Sequence, residues 1–193
     1  MSVALLALAA AAAALIYWFP VRAWYRRSGA ARLDRRRVMT GDSAVFRPDF
    51  EATLAIGIDA PPELVWPWLL QMGRGRRMRT AEQWQELKPG DAIEVSLAPR
   101  FPIATIEPYR TLVLRGGRQG FEWCWQFEVY AMDERRTRLI SRKRMATGHS
   151  AYGLFISLVL QPIAFVITRK MLLDVKLGAE RAARDAHDAP RAA

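Results

Sequence analysis

Residues 54–73 read L-A-I-G-I-D-A-P-P-E-L-V-W-P-W-L-L-Q-M-G and carry the clearest fold signal in the chain. The first five residues alternate large and small apolar side chains, which predicts a strand with one apolar face. Asp59 and the pair Pro61-Pro62 are typical of a helix start, and Gly73 is a natural helix end. Between them, apolar residues recur at helical spacing: Val65, Trp68, Leu69 and Met72. The stretch therefore predicts a strand, a tight corner and a short amphipathic helix.

Five later segments have the short length and the aliphatic or β-branched content of strands, and turn residues separate them. They are residues 92–97, 102–106, 111–115, 121–130 and 137–145. The fourth alternates strictly, so Phe121, Trp123, Trp125, Phe127 and Val129 share one face. A long helix is predicted from Pro162, with a buried stripe of Ala164, Ile167, Met171, Val175 and Gly178. Short strands bracketed by helices favour an α+β fold with an antiparallel sheet.

Several of these segments, taken in order, resemble the START-related, polyketide-cyclase-like (SRPBCC) superfamily. They are I-D-A-P-P-E-L-V-W-P-W-L-L-Q-M-G (58–73), A-T-I-E-P-Y-R-T-L-V-L (104–114), F-E-W-C-W-Q-F-E-V-Y (121–130), T-R-L-I-S-R-K-R (137–144) and T-R-K-M-L-L-D-V-K-L-G-A-E (168–180). The resemblance covers about residues 50–182. It implies a helix-grip fold, in which an antiparallel sheet wraps around a long C-terminal helix with a cavity between them. The family's motifs are structural, so the resemblance implies a fold rather than a ligand.

The N-terminus carries an apolar run, Val3–Phe19, of 17 residues. This length is at the short end of what spans a bilayer, and the aromatic residues Trp18, Trp24 and Tyr25 lie at its end, where interfacial aromatics are expected. We therefore predict one uncleaved transmembrane helix, with a signal peptide or a soluble helix as alternatives. A second apolar run, 151–167, is broken by Gln161 and Pro162, so we favour a loop or short helix followed by the long helix over a second span.

The charge is concentrated beside the apolar run. The net charge is +10, and residues 21–40 hold seven arginines against one acid. This asymmetry predicts a single-pass membrane protein with its globular domain in the cytoplasm and argues against a nucleic-acid partner. The arginines are either a topology signal or a site for anionic lipid headgroups, and the basic run 74–79 is either a solvated loop or a second such site.

The chain divides into four parts on these patterns. Residues 1–20 are the anchor, 21–49 a basic juxtamembrane segment and linker, 50–184 the helix-grip domain and 185–193 a disordered tail. Residues 80–87 are a candidate short helix. This division predicts that a chain starting near Ala44 folds by itself.

No catalytic, metal or cofactor motif is present. The single cysteine, Cys124, excludes an internal disulfide, and the two histidines, His149 and His187, lack a ligand pattern around them. No cofactor is therefore expected, and no catalytic residues are assigned.

The aromatic face is the best candidate for a binding site, because ligand pockets are mostly apolar with few polar groups. The predicted ligand-binding residues are Phe121, Trp123, Trp125, Phe127, Arg142, Glu107, Ile167 and Met171. The alternative is that these aromatics fill an ordinary core. The preferred function is a membrane-anchored binding protein for a hydrophobic small molecule or lipid. A cyclase or aromatase enzyme, which the resemblance permits, and a structural or partner-binding module without a ligand are the alternatives.

Overall fold

The computed structural model describes residues 28–72, 87–94, 100–118, 120–148 and 161–188, together with five isolated positions among residues 5–13. The helices are α1 (Arg32–Arg36), α2 (Pro62–Leu70) and α3 (Gln161–Asp188), and a 3₁₀ turn covers Thr40–Ala44. The strands are β1 (Phe50–Ile58), β2 (Ala92–Glu94), β3 (Arg100–Glu107), β4 (Thr111–Arg118), β5 (Phe121–Asp133) and β6 (Arg136–Ala146).

Several predictions concern residues outside these described ranges. The anchor over 1–20 and the candidate helix over 80–87 lie almost entirely outside the described residues, and the basic run 74–79, Gly73 and His149 lie wholly outside them. Within the described part of the chain, no helix has the length and apolar content to cross a bilayer.

The six strands form one antiparallel sheet in the order β1-β6-β5-β4-β3-β2. The α+β class and the antiparallel sheet are therefore confirmed. β1 pairs with β6 along its whole length, from Phe50 opposite Met145 to Ile58 opposite Thr137. This pairing joins the strand that opens the domain to the last strand. The strand that precedes α3 in the sequence therefore lies beside β1.

The two helices α2 and α3 cover one face of the sheet, which we call the inner face. The main core lies here, and Leu69 of α2, Phe127 of β5 and Leu139 of β6 are all fully buried in it. Removing such side chains from water is the main stabilising contribution, about 25 cal/mol per Å² of apolar surface. A sheet that holds a long C-terminal helix against its concave side is the helix-grip arrangement.

The buried stripe of α3 agrees with the predicted one at Met171, Val175 and Gly178, while Ala164 is only half-buried. The buried residues of α3 are Gln161, Thr168, Met171, Leu172, Val175, Gly178 and Ala179. Ile167, which the sequence placed in the stripe, is 39% exposed. Adjacent helical residues point about 100° apart. A stripe centred on Thr168 and Leu172 therefore turns Ile167 outward.

The start of α2 also differs from the sequence expectation. Pro61 is the N-terminal cap residue and makes no side-chain capping bond. Asp59, the expected cap, instead donates its backbone N–H to Glu180 Oε1 of α3 at 3.0 Å. The corner between β1 and α2 is thereby tied to the long helix.

The crossing of α2 and α3 depends on a glycine. A Cβ placed on Gly178 would lie 2.3 Å from Trp68 Cδ2. We predict that Gly178→Ala lowers the free energy of unfolding by about 1–2 kcal/mol, although alanine favours helices, because overpacking outweighs the propensity gain. Urea unfolding measures the change. Gly57→Ala is the matched control, because no atom lies within 4 Å of its added Cβ. Equal stability of the Gly178 variant and the native chain would contradict this packing.

The other face of the sheet is also covered, by residues 28–46, which we call the strap. Met39 and Val45 of the strap are buried, and they pack on outer-face residues such as Ile140 and Cys124. The sequence predicted a linker over residues 21–49, and the structure corrects this for the described part. The physical reason lies in β5, where the outward-facing Cys124, Gln126 and Glu128 need a covering layer to be buried.

Candidate functional site

The middle of the aromatic face is ordinary core. Phe127 is fully buried, and its ring centroid lies 5.0 Å from that of Trp125. Trp125 is also buried and donates its indole N–H to Ser141 Oγ at 2.9 Å. Met171 of α3 belongs to the same buried cluster. At Phe127 and Met171, ordinary core packing explains the apolar side chains, and no ligand is needed.

One end of the inner face is less tightly filled. Phe121 and Trp123, at the start of β5, are only half-buried, as are Phe101 of β3 and Met145 of β6. Phe101 packs edge-on against Trp123, with their ring centroids 5.3 Å apart. These side chains surround an apolar surface that retains access to solvent.

Lys143 of β6 lies at the boundary between the filled and the open parts. It pairs directly with Trp125 in the β5–β6 register, and its Nζ lies 3.9 Å from the centroid of the Trp125 ring. Nζ also donates a hydrogen bond of 2.7 Å to Thr168 Oγ1, and that hydroxyl donates to the Ala164 carbonyl at 2.6 Å. A lysine on the helix-facing side of the sheet therefore joins β6, β5 and α3.

Burial perturbs the titration of this lysine. Lys143 is half-buried, and its ammonium group lies against the Trp125 ring and the Thr168 hydroxyl. Desolvation lowers the pKa of Lys143 to about 7. No carboxylate of the described residues forms an ion pair with it, so the cost of burying the charge is offset by the Thr168 hydroxyl and the Trp125 ring and not by an opposite charge among those residues. The group can change its protonation state near neutral pH.

A small cavity of about 40 Å³ adjoins Lys143, and we call it the lysine cavity. Its lining is Phe50, Ala52, Leu54, Lys143, Met145, Gln161, Ala164, Phe165 and Thr168. Gln161, at the start of α3, is 5% exposed, and among the described residues neither its amide oxygen nor its amide nitrogen has a hydrogen-bond partner. An unpaired buried amide costs about 1–3 kcal/mol. The cavity thus combines apolar walls with one cationic and one unpaired polar group.

Arg142 is not part of this site. Neighbouring residues of a strand point to opposite faces, so Arg142 lies on the outer face while Lys143 points inward. Its guanidinium is buried and bonds to Thr53 Oγ1, to Asp42 Oδ2 and to three carbonyls of the strap. Those carbonyls belong to Asp34, Arg35 and Arg37. Arg142 therefore fastens the strap, and the prediction that it contacts a ligand in the cavity is corrected.

Two further predicted residues also lie away from the lysine cavity. Glu107 is an exposed residue beside Arg110, with 3.7 Å between their charged atoms. Ile167 points outward from α3. The inner face brings together the aromatic members of the predicted site and Met171, but not Glu107, Arg142 or Ile167.

Cys124 is a structural thiol in this fold. It lies buried beneath the strap, and burial raises its pKa to about 11. A thiol that stays protonated at neutral pH is a poor nucleophile. Among the described residues, no group of histidine, cysteine and carboxylate side chains is arranged to hold a metal ion.

Lys143 and Gln161 are the residues that sequence reasoning missed. Strand parity carried a signal for the lysine, since Lys143 is in phase with Leu139 and Met145 on the inner face. The signal was ambiguous because Ile140, on the opposite face, is equally apolar and buried. In the sequence, Gln161 only interrupts an apolar run, and no pattern around it indicates a cavity residue.

Comparison with known proteins gives a fold likeness at low identity. No family model and no curated protein matches the chain. Among solved structures, it is similar to the Aha1 dimer from Colwellia psychrerythraea, with 17% identity over 68% of this chain and 96% of that one and a TM-score of 0.49. It is also similar to the Zhui aromatase/cyclase from Streptomyces sp. R1128, with 16% identity, coverage of 71% and 97%, and a TM-score of 0.41.

A third similar structure is the di-domain ARO/CYC BexL from the BE-7585A biosynthetic pathway. The identity is 13%, the coverage is 68% of this chain and 46% of that one, and the TM-score is 0.44. This chain therefore spans less than half of that protein. Because the identities are low and the TM-scores lie below 0.5, the site is assigned from the geometry of this chain alone.

Proposed function

We propose that this protein binds a hydrophobic small molecule or lipid at the open end of the inner face. The observation that supports the proposal most is the lysine cavity, where a buried amide without partners and a lysine without a counter-ion among the described residues face apolar walls. A core without a ligand gains nothing from these groups, because burying unpaired polar groups is costly. Met145 lines the cavity, Trp123 lies opposite it in the β5–β6 register, and Phe101 packs against Trp123, so these half-buried side chains offer an apolar surface for the rest of the ligand.

Binding to the membrane is the second part of this proposal. The apolar run Val3–Phe19 and the arginines after it support a single anchor with the domain on the cytoplasmic side. A lipid-facing anchor would place the domain close to a source of hydrophobic ligands. A reporter fused to the C-terminus tests the topology, and activity of an exported reporter would contradict it.

The enzyme alternative lacks a specific observation in its favour. Catalysis by an acid and a base requires two titratable groups near one site. Of the described residues that line the lysine cavity, Lys143 is the only titratable one. A binding function accounts for this lining without further groups.

A variant that fills the cavity tests the proposed function. Ala164 lines the cavity from α3 and is half-buried. We predict that Ala164→Leu lowers the affinity for a fluorescent fatty-acid probe at least about tenfold, because a methylene is worth about 0.8 kcal/mol of burial and the leucine takes up the space that the probe would use. The measurement is a fluorescence titration of the full chain in detergent micelles, corrected for empty micelles.

The matched control is Ala186→Leu on the exposed side of the same helix. It adds the same three carbon atoms away from the cavity and should leave binding unchanged. A thermal melt of each variant establishes that both remain folded. Undiminished probe binding by a folded Ala164→Leu variant would refute the location, and absence of probe binding by the native chain would refute the function.

A further inference from the structure

We propose that the ligand is an amphiphilic carboxylic acid, and that Lys143 and Gln161 hold its carboxylate in the lysine cavity. This inference rests on the proposed function and names the chemical class of the ligand. It assigns the polar end of the ligand to the cavity and its apolar chain to the surface formed by Phe101, Trp123 and Met145.

The donors of Lys143 are only partly used. An ammonium group has three N–H donors. One is directed to Thr168 Oγ1, and the face of Trp125 contacts the ammonium from another side. No carboxylate of the described residues neutralises it, and the other described side chains that line the cavity with it are uncharged. The remaining capacity suits an anion that arrives with the ligand.

Gln161 supplies a second, independent indication of a ligand. Its side chain is buried in the cavity wall, and both ends of its amide lack a partner within the described ranges of the chain. The amide nitrogen would donate to one carboxylate oxygen while Lys143 donates to the other. A ligand carboxylate would therefore satisfy a lysine and an amide that the described residues leave without full partners.

The size and charge of the cavity favour a carboxylate over a phosphate. A volume of about 40 Å³ suits a small group and not a whole ligand. One lysine balances one negative charge, whereas a phosphate monoester carries about −1.5 to −2 at neutral pH and would retain excess charge in an apolar setting. The chain of the ligand must leave the cavity, and the half-buried aromatic surface lies beside it.

The test compares an acid with its ester. The probes are 11-(dansylamino)undecanoic acid and its methyl ester, titrated into the full chain in detergent micelles with empty micelles subtracted. We expect the native chain to bind the acid at least about tenfold more tightly than the ester, since hydrogen bonds to charged groups are the stronger class. Lys143→Met should remove that preference by weakening acid binding much more than ester binding.

The matched control is Lys170→Met, which removes an exposed lysine of α3 that pairs with Asp174. It should keep the preference for the acid. Gln161→Leu provides a second route if Lys143→Met does not fold, and it should weaken acid binding several-fold and ester binding by a smaller factor. A thermal melt reports folding in each case.

The outcomes separate this inference from the function on which it rests. Equal binding of acid and ester by the native chain would overturn the carboxylate inference and leave the proposed function standing. An unchanged preference in a folded Lys143→Met or Gln161→Leu variant would overturn the role of that residue. Binding of neither probe would overturn the proposed function itself.

The pH dependence of acid binding distinguishes a lysine that contacts the ligand from one with a purely structural role. Burial holds the pKa of Lys143 near 7 in the free protein, and a bound carboxylate would raise it by favouring the charged form. The acid probe is ionised throughout this range, so its affinity should fall about tenfold or more between pH 7 and pH 9 as the lysine loses its proton. The ester should show no such trend. The described residues facing Nζ from β1, β5 and α3 carry no other titratable group.

Discussion

Replacing Arg142 by methionine is expected to lower the free energy of unfolding by about 3–5 kcal/mol, the range for breaking a buried charged pair. The guanidinium is 2% exposed and makes five hydrogen bonds. Methionine keeps the apolar stem but leaves the Asp42 carboxylate and three strap carbonyls without this donor. Urea unfolding followed by circular dichroism measures the loss.

The matched control is Arg136→Met. Arg136 is the exposed first residue of β6 and pairs with Asp133, the last residue of β5, at 2.7 Å. Exposed ion pairs contribute little to stability, so this variant should unfold close to the native midpoint. Similar small losses for the two arginine variants would show that the strap contributes little to stability.

Removing the strap should have the largest effect. A chain beginning at Ser28 is expected to unfold cooperatively, whereas one beginning at Ala44 should lose cooperative unfolding or lose more stability than Arg142→Met. The shorter chain lacks Met39, Gly41 and Asp42, so the outer-face groups that they contact become exposed. Gly41 N–H donates to the buried Gln126 Oε1 at 2.7 Å, and Asp42 accepts from both Gln126 and Arg142.

The truncation to Ala44 and the Arg142→Met substitution can be combined to test whether the strap and Arg142 stabilise the fold through the same contacts. If the shorter chain retains measurable stability, Arg142→Met within it should cost much less than in the chain from Ser28, because the partners of the guanidinium are already gone. Full additivity would indicate that the strap and Arg142 stabilise the fold separately. A shorter chain as stable as the longer one would restore the sequence prediction that residues 21–49 are only a linker.

The fold was predictable where the periodicity of the sequence matches a face with one environment. In β5 the aromatic residues alternate with polar ones, and the structure places Trp125 and Phe127 on the inner face as expected. The strap was not predictable in this way. Its composition is polar and basic, and it is ordered by long-range bonds such as those from Arg142, which leave no periodic signal in residues 28–46.

The candidate site was predicted only in its apolar part. Strand parity separates Arg142 from Lys143, but β6 is buried on both faces, so its hydrophobic pattern does not show which residue points inward. The strand register with β5, which places Lys143 opposite Trp125, becomes available only from the sheet. The location of Gln161 in the cavity wall likewise depends on where α3 lies across β1 and β6.

The most direct test of the central claim is to map where a ligand binds. A fatty acid carrying a diazirine group near its carboxylate is bound to the full chain and activated by light, and the modified peptides are identified by mass spectrometry. The account predicts labelling of peptides that contain cavity residues such as Phe50, Met145 or Phe165, and loss of that labelling with excess unlabelled acid. Labelling confined to other parts of the chain, or labelling of these peptides that excess acid does not reduce, would contradict it.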